Sequence, residues 1–299
     1  MQSWQSRVIE TYFRIRRLMK SRPDHLDVAI SRADNEALSS YFKSKIPFES
    51  EPVMIDETPA EWIIPAGVST EATILFFHGG AYNSGSIHTH RSLVVNIAHA
   101  SNARGLNVDY RLAPEYPFPA ALEDARAAYD WLLEQGLEPG KIAIAGDSAG
   151  GGLTMALLLD LRDSGKPLPA AAVCLSPWLD LTCSGDTWTS NAGKDLLLDP
   201  GSIRDSARVY LGDIDPRTPL ASPLFGELAG LPPLLIQVGS SEYLLSDSVS
   251  LAEKARDSGL DVTLEVYEGM QHEWHFAANI MPEGRAAIDA IGEFIQAQL

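Results

Sequence analysis

Residues 141–157, Lys141 to Leu157, read KIAIAGDSAGGGLTMAL. The run Ile142 to Ala145 is short and continuously apolar, as in a strand buried on both faces of a parallel sheet, and the residues from Gly152 to Leu159 predict a helix. Between them lies Gly146-Asp147-Ser148-Ala149-Gly150. A serine at a sharp strand-to-helix turn has a strained backbone and a hydroxyl lifted out of the sheet, and glycine on either side leaves room for close approach. The same turn puts Ser148 at a helix N-terminus, where the Ala149 N–H can face developing negative charge. Ordinary Gly/Ser loops also match this pentapeptide. The reading therefore depends on whether the chain supplies an acid, a base and an oxyanion hole in the right order.

Working outward, strand-like and helix-like stretches alternate. Pro52 to Ile64 reads as a hairpin around Thr58-Pro59. Ala72 to Phe77 is a buried strand ending in His78-Gly79-Gly80, and Leu93 to Ala100 is a helix. Leu106 to Tyr110 is a strand that runs into RLAPEYPFPAALEDA, a proline-punctuated loop before a helix from Ala120 to Glu134. Beyond the elbow come strands Ala171 to Leu175, Leu234 to Val238 and Val262 to Tyr267, with helices Ser246 to Ser258 and Gly284 to Gln298. This alternation predicts an α/β fold, a mostly parallel sheet flanked by helices with its site at the carboxyl edge.

Two stretches break the rhythm. Residues 1–45 predict helix, with Trp4, Val8, Tyr12, Ile15 and Met19 on one apolar face and Arg14, Arg16, Arg17 and Lys20 elsewhere. They belong to no strand–helix unit and suggest a cap packed over the site entrance. Residues 180–219 are loop-like apart from a helix at Pro200 to Tyr210 and could complete that cap, leaving 46–299 as the catalytic domain. A basic amphipathic helix can also lie on a membrane surface, but the rest of the chain is acidic.

The 299 residues carry 23 Lys and Arg against 40 Asp and Glu, a net charge of −17 that argues against nucleic acid or an anionic membrane as partner. Cys174 and Cys183 are too few for a disulfide framework and lack metal-ligand spacing. No metal or cofactor is expected. With neither a signal-peptide core nor a membrane span in the sequence, a cytoplasmic protein is expected.

Four predicted strand ends carry polar or reactive groups. Gly79 and Gly80 allow backbone N–H groups to point at a ligand, with His78 ordering the loop. The base must come late in the chain, which leaves His272 and His275 and sets aside His25, His88, His90 and His99. His272 follows the last strand after a short glycine-containing turn, whereas His275 falls where a helix could begin. The acid should follow Leu234 to Val238, where Glu242 and Asp247 are candidates. Glu242 lies nearer the strand end and has the longer reach, while Asp247 sits where it could cap the next helix.

HGGAYNSGS from His78, YRLAPEYPFPAALED from Tyr110 and GDSAGGG from Gly146 together resemble the hormone-sensitive-lipase-like branch of α/β-hydrolases, the bacterial family IV esterases, from about Glu51 to the C-terminus. The resemblance implies an α/β-hydrolase fold with a helical cap. It implies Ser148 as nucleophile, His272 as base, and the N–H groups of Gly79, Gly80 and Ala149 as oxyanion hole. It further implies hydrolysis of short- to medium-chain acyl esters through an acyl-enzyme. Lactones and amides stay open as substrates, and a non-catalytic small-molecule receptor of the same fold is the rival, although such receptors typically lack the base. The family's usual D-P-L-x-D string is replaced here by Glu242-Tyr243-Leu244-Leu245-Ser246-Asp247, so the acid is Glu242 or Asp247. Members often dimerise through the last strand, here Val262 to Tyr267. Trp4, Tyr12, Phe13, Tyr82, Trp178, Trp188 and Tyr210 either line an apolar pocket or form cap core.

Overall fold

The structure, a computed structural model, describes residues 2–19 and 26–299, so Lys20 and His25 lie outside the described residues. In chain order the elements are α1 (Trp4–Met19), α2 (Val28–Ser39), β1 (Phe48–Ile55), β2 (Thr58–Pro65), β3 (Thr73–Phe77), α3 (Ile87–Ala100), β4 (Arg104–Val108), α4 (Ala120–Glu134), β5 (Ile142–Asp147), α5 (Ala149–Asp163), β6 (Ala171–Leu175), α6 (Thr187–Ser190), α7 (Pro200–Leu211), β7 (Leu234–Gly239), α8 (Leu245–Asp257), β8 (Val262–Tyr267) and α9 (Pro282–Gln298). The strands form one eight-stranded sheet in the order β1-β2-β4-β3-β5-β6-β7-β8. Only β2 runs against its neighbours. The rest are parallel, as the α/β alternation predicts.

Side chains alternate across the central strands and divide the core in two. Leu75, Phe77, Ile142, Ile144, Cys174 and Ile236 face α4, α5 and α8. Ile74, Phe76, Ala143, Ala145, Val173 and Leu235 face α3 and α9. Both faces are dry, which is why β3, β5, β6 and β7 read as continuous apolar runs rather than alternating ones. β8 ends the sheet, its side chains only partly buried. Among the described residues no helix is long and apolar enough to cross a membrane.

The elbow has the expected geometry. Ser148 takes φ 51°, ψ −118° between β5 and α5. A Cβ on Gly146 would lie 2.3 Å from the Gly150 carbonyl oxygen, and one on Gly150 would lie 2.0 Å from the Phe77 carbonyl oxygen. These glycines permit close approach of α5 to β3. Gly150→Ala is therefore expected to destabilise the fold by at least about 1–3 kcal/mol, since backbone rather than a movable side chain is in the way. A lowered urea midpoint checks this, and an unchanged midpoint would mean that α5 can recede.

Several expectations are corrected. The hairpin turns at Asp56-Glu57, with Asp56 at φ 50°, and Thr58-Pro59 begin β2 in register with Ile55 and Met54. Asp tolerates that left-handed conformation better than Thr or Pro. The N-terminal helix is two helices, and α1 is turned with its stripe outward. Trp4, Val8, Tyr12, Ile15 and Met19 are exposed, while Ser6 and Phe13 on the opposite face are buried. Ile9 packs on the cluster of Met270 and Trp274, and polar bonds hold α1 in that orientation: Ser3 bonds the Glu283 carboxylate through both its N–H (2.6 Å) and its hydroxyl (2.8 Å), Gln2 Nε2 donates to the Gly269 carbonyl (2.7 Å), and the Arg17 guanidinium donates to the Asp195 carbonyl. Periodicity locates an apolar stripe but not the direction it faces.

Candidate active site

Ser148, Glu242 and His272 follow β5, β7 and β8, three parallel strands whose carboxyl ends lie at one edge of the sheet. His272 Nε2 is 3.1 Å from Ser148 Oγ, and His272 Nδ1 is 2.8 Å from Glu242 Oε2. Glu242 is held in turn: its Oε1 accepts from the Gly239 N–H at 2.6 Å and from the Ser176 hydroxyl at 2.7 Å. Burial raises the Glu242 pKa, and its bonds to His272, Gly239 and Ser176 work against that. For His272, burial favours the neutral ring, while Glu273 in its charged form and the hydrogen-bonded Glu242 carboxylate raise its pKa.

The other candidates are placed elsewhere. Asp247 accepts from the Leu179 and Asp180 N–H groups at 2.9 and 3.0 Å. It is buried, its pKa raised by burial to about 7, and it braces the loop after β6. His275 Nε2 lies 2.9 Å from Gln237 Oε1, and burial lowers its pKa to about 3. His78 orders its loop: Nδ1 lies 2.7 Å from the Gly79 carbonyl, the ring stacks on Tyr110 at 4.2 Å, and the Tyr110 hydroxyl donates to the His78 carbonyl.

The oxyanion loop differs from expectation in one respect. The Gly79 N–H points inward at His90 Nε2, 3.2 Å away. Gly80 and Ala81 follow at φ 115° and 54° and line the cavity, and among the described residues neither N–H has an acceptor within the protein. Gly79 does serve close approach, because a Cβ there would lie 2.3 Å from Asp147 Oδ2.

A cavity of about 440 Å³ opens in front of Ser148 and His272. Its walls come from α1 (Ile9, Phe13), α2 (Ile30, Leu38) and α7 (Ser202, Ile203), together with Leu196 to Leu198. Of the aromatic residues expected at the pocket, only Phe13 lines it. Trp4 and Tyr12 are exposed, whereas Tyr82 stacks on Tyr210 at 3.9 Å, Trp188 stacks on Tyr243 at 5.2 Å, and Trp178 is buried beside Tyr82. The first part of 180–219 packs on the acid loop instead: Asn191 Nδ2 donates to the Glu242 carbonyl, and Asp195 accepts from the Tyr243 N–H.

Sequence reasoning missed Ser176, which stands at the end of β6 beside the acid-bearing strand, and the group His90, Asp147 and Glu273. The polar atoms of this group lie within 4.8 Å of one another. The Gly79 N–H already occupies His90 Nε2, and Asp147 Oδ2 lies 3.1 Å from the same nitrogen, so the group is a polar network within the protein. Asp147 lies inside the nucleophile motif and Glu273 directly follows the base. That adjacency is the signal that could have found them.

Comparison with known proteins agrees with this geometry. Residues 74–276 match the α/β-hydrolase fold family. An acetyl-hydrolase of Streptomyces hygroscopicus is 50% identical over 244 residues, 82% of this chain and 81% of its own. A crystal structure of an esterase from the bacterial hormone-sensitive lipase family superposes with a TM-score of 0.94 at 43% identity over 100% of this chain and 99% of that one. The structure of EstE5 soaked with p-nitrophenyl butyrate also gives 0.94 at 43% identity, over 99% of each chain. A serine, a histidine and a carboxylate at the ends of three parallel strands, in a chain this similar to those proteins, place it in the α/β-hydrolase family, within the hormone-sensitive-lipase-like branch.

Proposed function

We propose that this carboxylic ester hydrolase is a serine esterase that cleaves short- to medium-chain acyl esters through an acyl-enzyme on Ser148. The observation that carries the reading is the continuous hydrogen-bonded chain from Glu242 through His272 to Ser148 at the floor of the cavity. His272 Nε2 takes the hydroxyl proton as Ser148 Oγ attacks the ester carbonyl, and Glu242 fixes the ring's tautomer and stabilises the imidazolium. The tetrahedral oxyanion is met by the N–H groups of Gly80, Ala81 and Ala149, while the Gly79 N–H holds the loop to His90. Collapse expels the alcohol with the proton from His272. Water, activated by the same nitrogen, then frees the acid and restores Ser148.

The cavity lining supports reading α1, α2 and α7 as the cap, with residues 1–45 and part of 180–219 contributing to it. Apolar walls and a volume of about 440 Å³ suit a modest acyl chain, and the similarity to an acetyl-hydrolase supports the short end of that range. The complete triad argues against a non-catalytic receptor. β8 leaves its outer edge open, which supports a homodimer as the assembly.

The test is initial rates on p-nitrophenyl esters of increasing acyl length, with Ser148→Ala as blank. Highest kcat/KM on short to medium chains with a sharp fall beyond them is expected. Equal rates on long chains would refute the size limit.

A further inference from the structure

The mechanism leaves two carboxyl groups beneath the oxyanion loop without a role, Asp147, which is fully buried, and Glu273, which is partly buried. The Asp147 side chain places Oδ2 3.1 Å from His90 Nε2, while its Oδ1 is buried with no N–H or O–H partner. Glu273, in the left-handed conformation at φ 56°, turns its carboxyl under the same loop. A Cβ on Gly79 would meet Asp147 Oδ2 at 2.3 Å and Glu273 Oε1 at 2.7 Å. Glu273 Oε1 is also 3.5 Å from His272 Nε2, the nitrogen that faces Ser148. A pair of carboxyl groups is thus wedged between the oxyanion loop and the catalytic imidazole.

We propose that Glu273 is a positioning residue that acts as a neutral acid: its carboxyl O–H donates to the Asp147 carboxylate, tying the base loop to the oxyanion loop, and loss of that proton switches the site off. This rests on the serine-esterase reading above. Two carboxyl groups this close, one fully buried and the other partly open to the cavity, resist carrying two negative charges, and a proton on Glu273 removes that repulsion. An ionised Glu273 would do two kinds of harm. It would hold a proton on His272 Nε2, so that the ring could not accept one from Ser148, and it would set a negative charge close to where the oxyanion forms. A neutral Glu273 does neither.

The groups facing Glu273 are Asp147 from the end of β5, His90 from α3 with His78 beside it at 5.4 Å between ring centroids, and His272 from its own loop; Asp195 acts on His272 from the segment before α7. Burial lowers both His78 and His90 to about 4, so both are neutral. Burial raises Asp147 to about 6, its bond to Glu273 working against the rise, and burial together with the Asp147 charge raises Glu273 to about 8. With one proton between them, Asp147 is the anion and Glu273 the acid. The active form is the protonated one, so activity is lost as pH rises through the Glu273 value.

The test is kcat/KM on p-nitrophenyl butyrate between about pH 5 and 10 for the wild type, Glu273→Gln and Asp147→Asn, each normalised to its own maximum. In the wild type, activity should fall about tenfold per pH unit above its alkaline midpoint. Glu273→Gln should abolish that fall. Asp147→Asn removes the charge that keeps Glu273 protonated and should move the fall about one unit or more lower. An unchanged alkaline limb in Glu273→Gln, or an upward shift in Asp147→Asn, overturns the proposal. If the variants do not fold, the ¹³C carboxyl resonance of Glu273 in labelled wild-type protein, assigned through its bonded side-chain and backbone carbons, decides. Protonation persisting at pH 7 supports the pair, and ionisation already complete at pH 6 overturns it. A protonated Glu273 in a protein without Ser148-dependent turnover would leave the pair standing and remove the esterase reading.

Discussion

Ser148→Ala should reduce kcat for ester hydrolysis by roughly 10⁶-fold, the scale seen when a triad nucleophile is removed, with only the oxyanion donors and binding left to act. The geometry concentrates the loss at one atom. Ser148 Oγ is the group on His272 Nε2, and the turn that presents it is fixed by backbone bonds, from the Ser148 N–H to Leu175 (2.8 Å) and from the Trp178 N–H to the Ser148 carbonyl (2.9 Å). Alanine retains those bonds, so the fold should survive and the melting temperature should stay close to that of the wild type. Stopped-flow or steady-state rates with an intact circular dichroism spectrum check both halves. Undiminished turnover would sink the assignment of Ser148.

Glu242→Gln should cost roughly 10⁴-fold in kcat, for a reason visible in its hydrogen bonds. Oε1 accepts from the Gly239 N–H and the Ser176 hydroxyl. A glutamine keeps its carbonyl oxygen there and turns its amide N–H toward His272 Nδ1. The ring must then accept at Nδ1 and carry its proton on Nε2, facing Ser148, which is the wrong tautomer for a base. Asp247 offers the control. Asp247→Ala leaves the Leu179 and Asp180 N–H groups unpaired in the interior, at about 1–3 kcal/mol each, and should lower stability far more than it lowers kcat. Were Asp247→Ala to lose turnover at full stability while Glu242→Gln kept it, the acid would have to be reassigned.

Most of the sheet was legible because strands dry on both faces advertise themselves as apolar runs, as Ala171–Leu175 does with the expected bounds; the partly buried edge strand Val262–Tyr267 also has the expected bounds. Helix starts were less legible. α3 begins at Ile87, set by the Ser86 capping box, but its first turns, with His88, Thr89, His90 and Arg91, show no apolar period. α5 begins at Ala149 although Gly150 to Gly152 are poor helix formers, because contact with β3 and with the loop after β6 requires small residues there. Chain order pointed to Ser148 and His272 and narrowed the acid to two residues. What chain order could not supply was direction. Whether the Gly79 N–H faces the cavity or His90 depends on a residue 11 positions away, and the outward face of α1 depends on Glu283, 280 positions away.

α2 buries none of its residues, and α1 buries only Ser6 and Phe13, yet both helices wall the cavity. Sites that contribute little to the core can drift without unfolding the protein, whereas the strand ends that carry the chemistry are locked by contacts such as Gly150 on Phe77. Substrate range and chemical machinery can therefore evolve at different speeds in this molecule. A lineage can move to a new ester through substitutions in α1 and α2 while the hydrolytic apparatus is inherited unaltered.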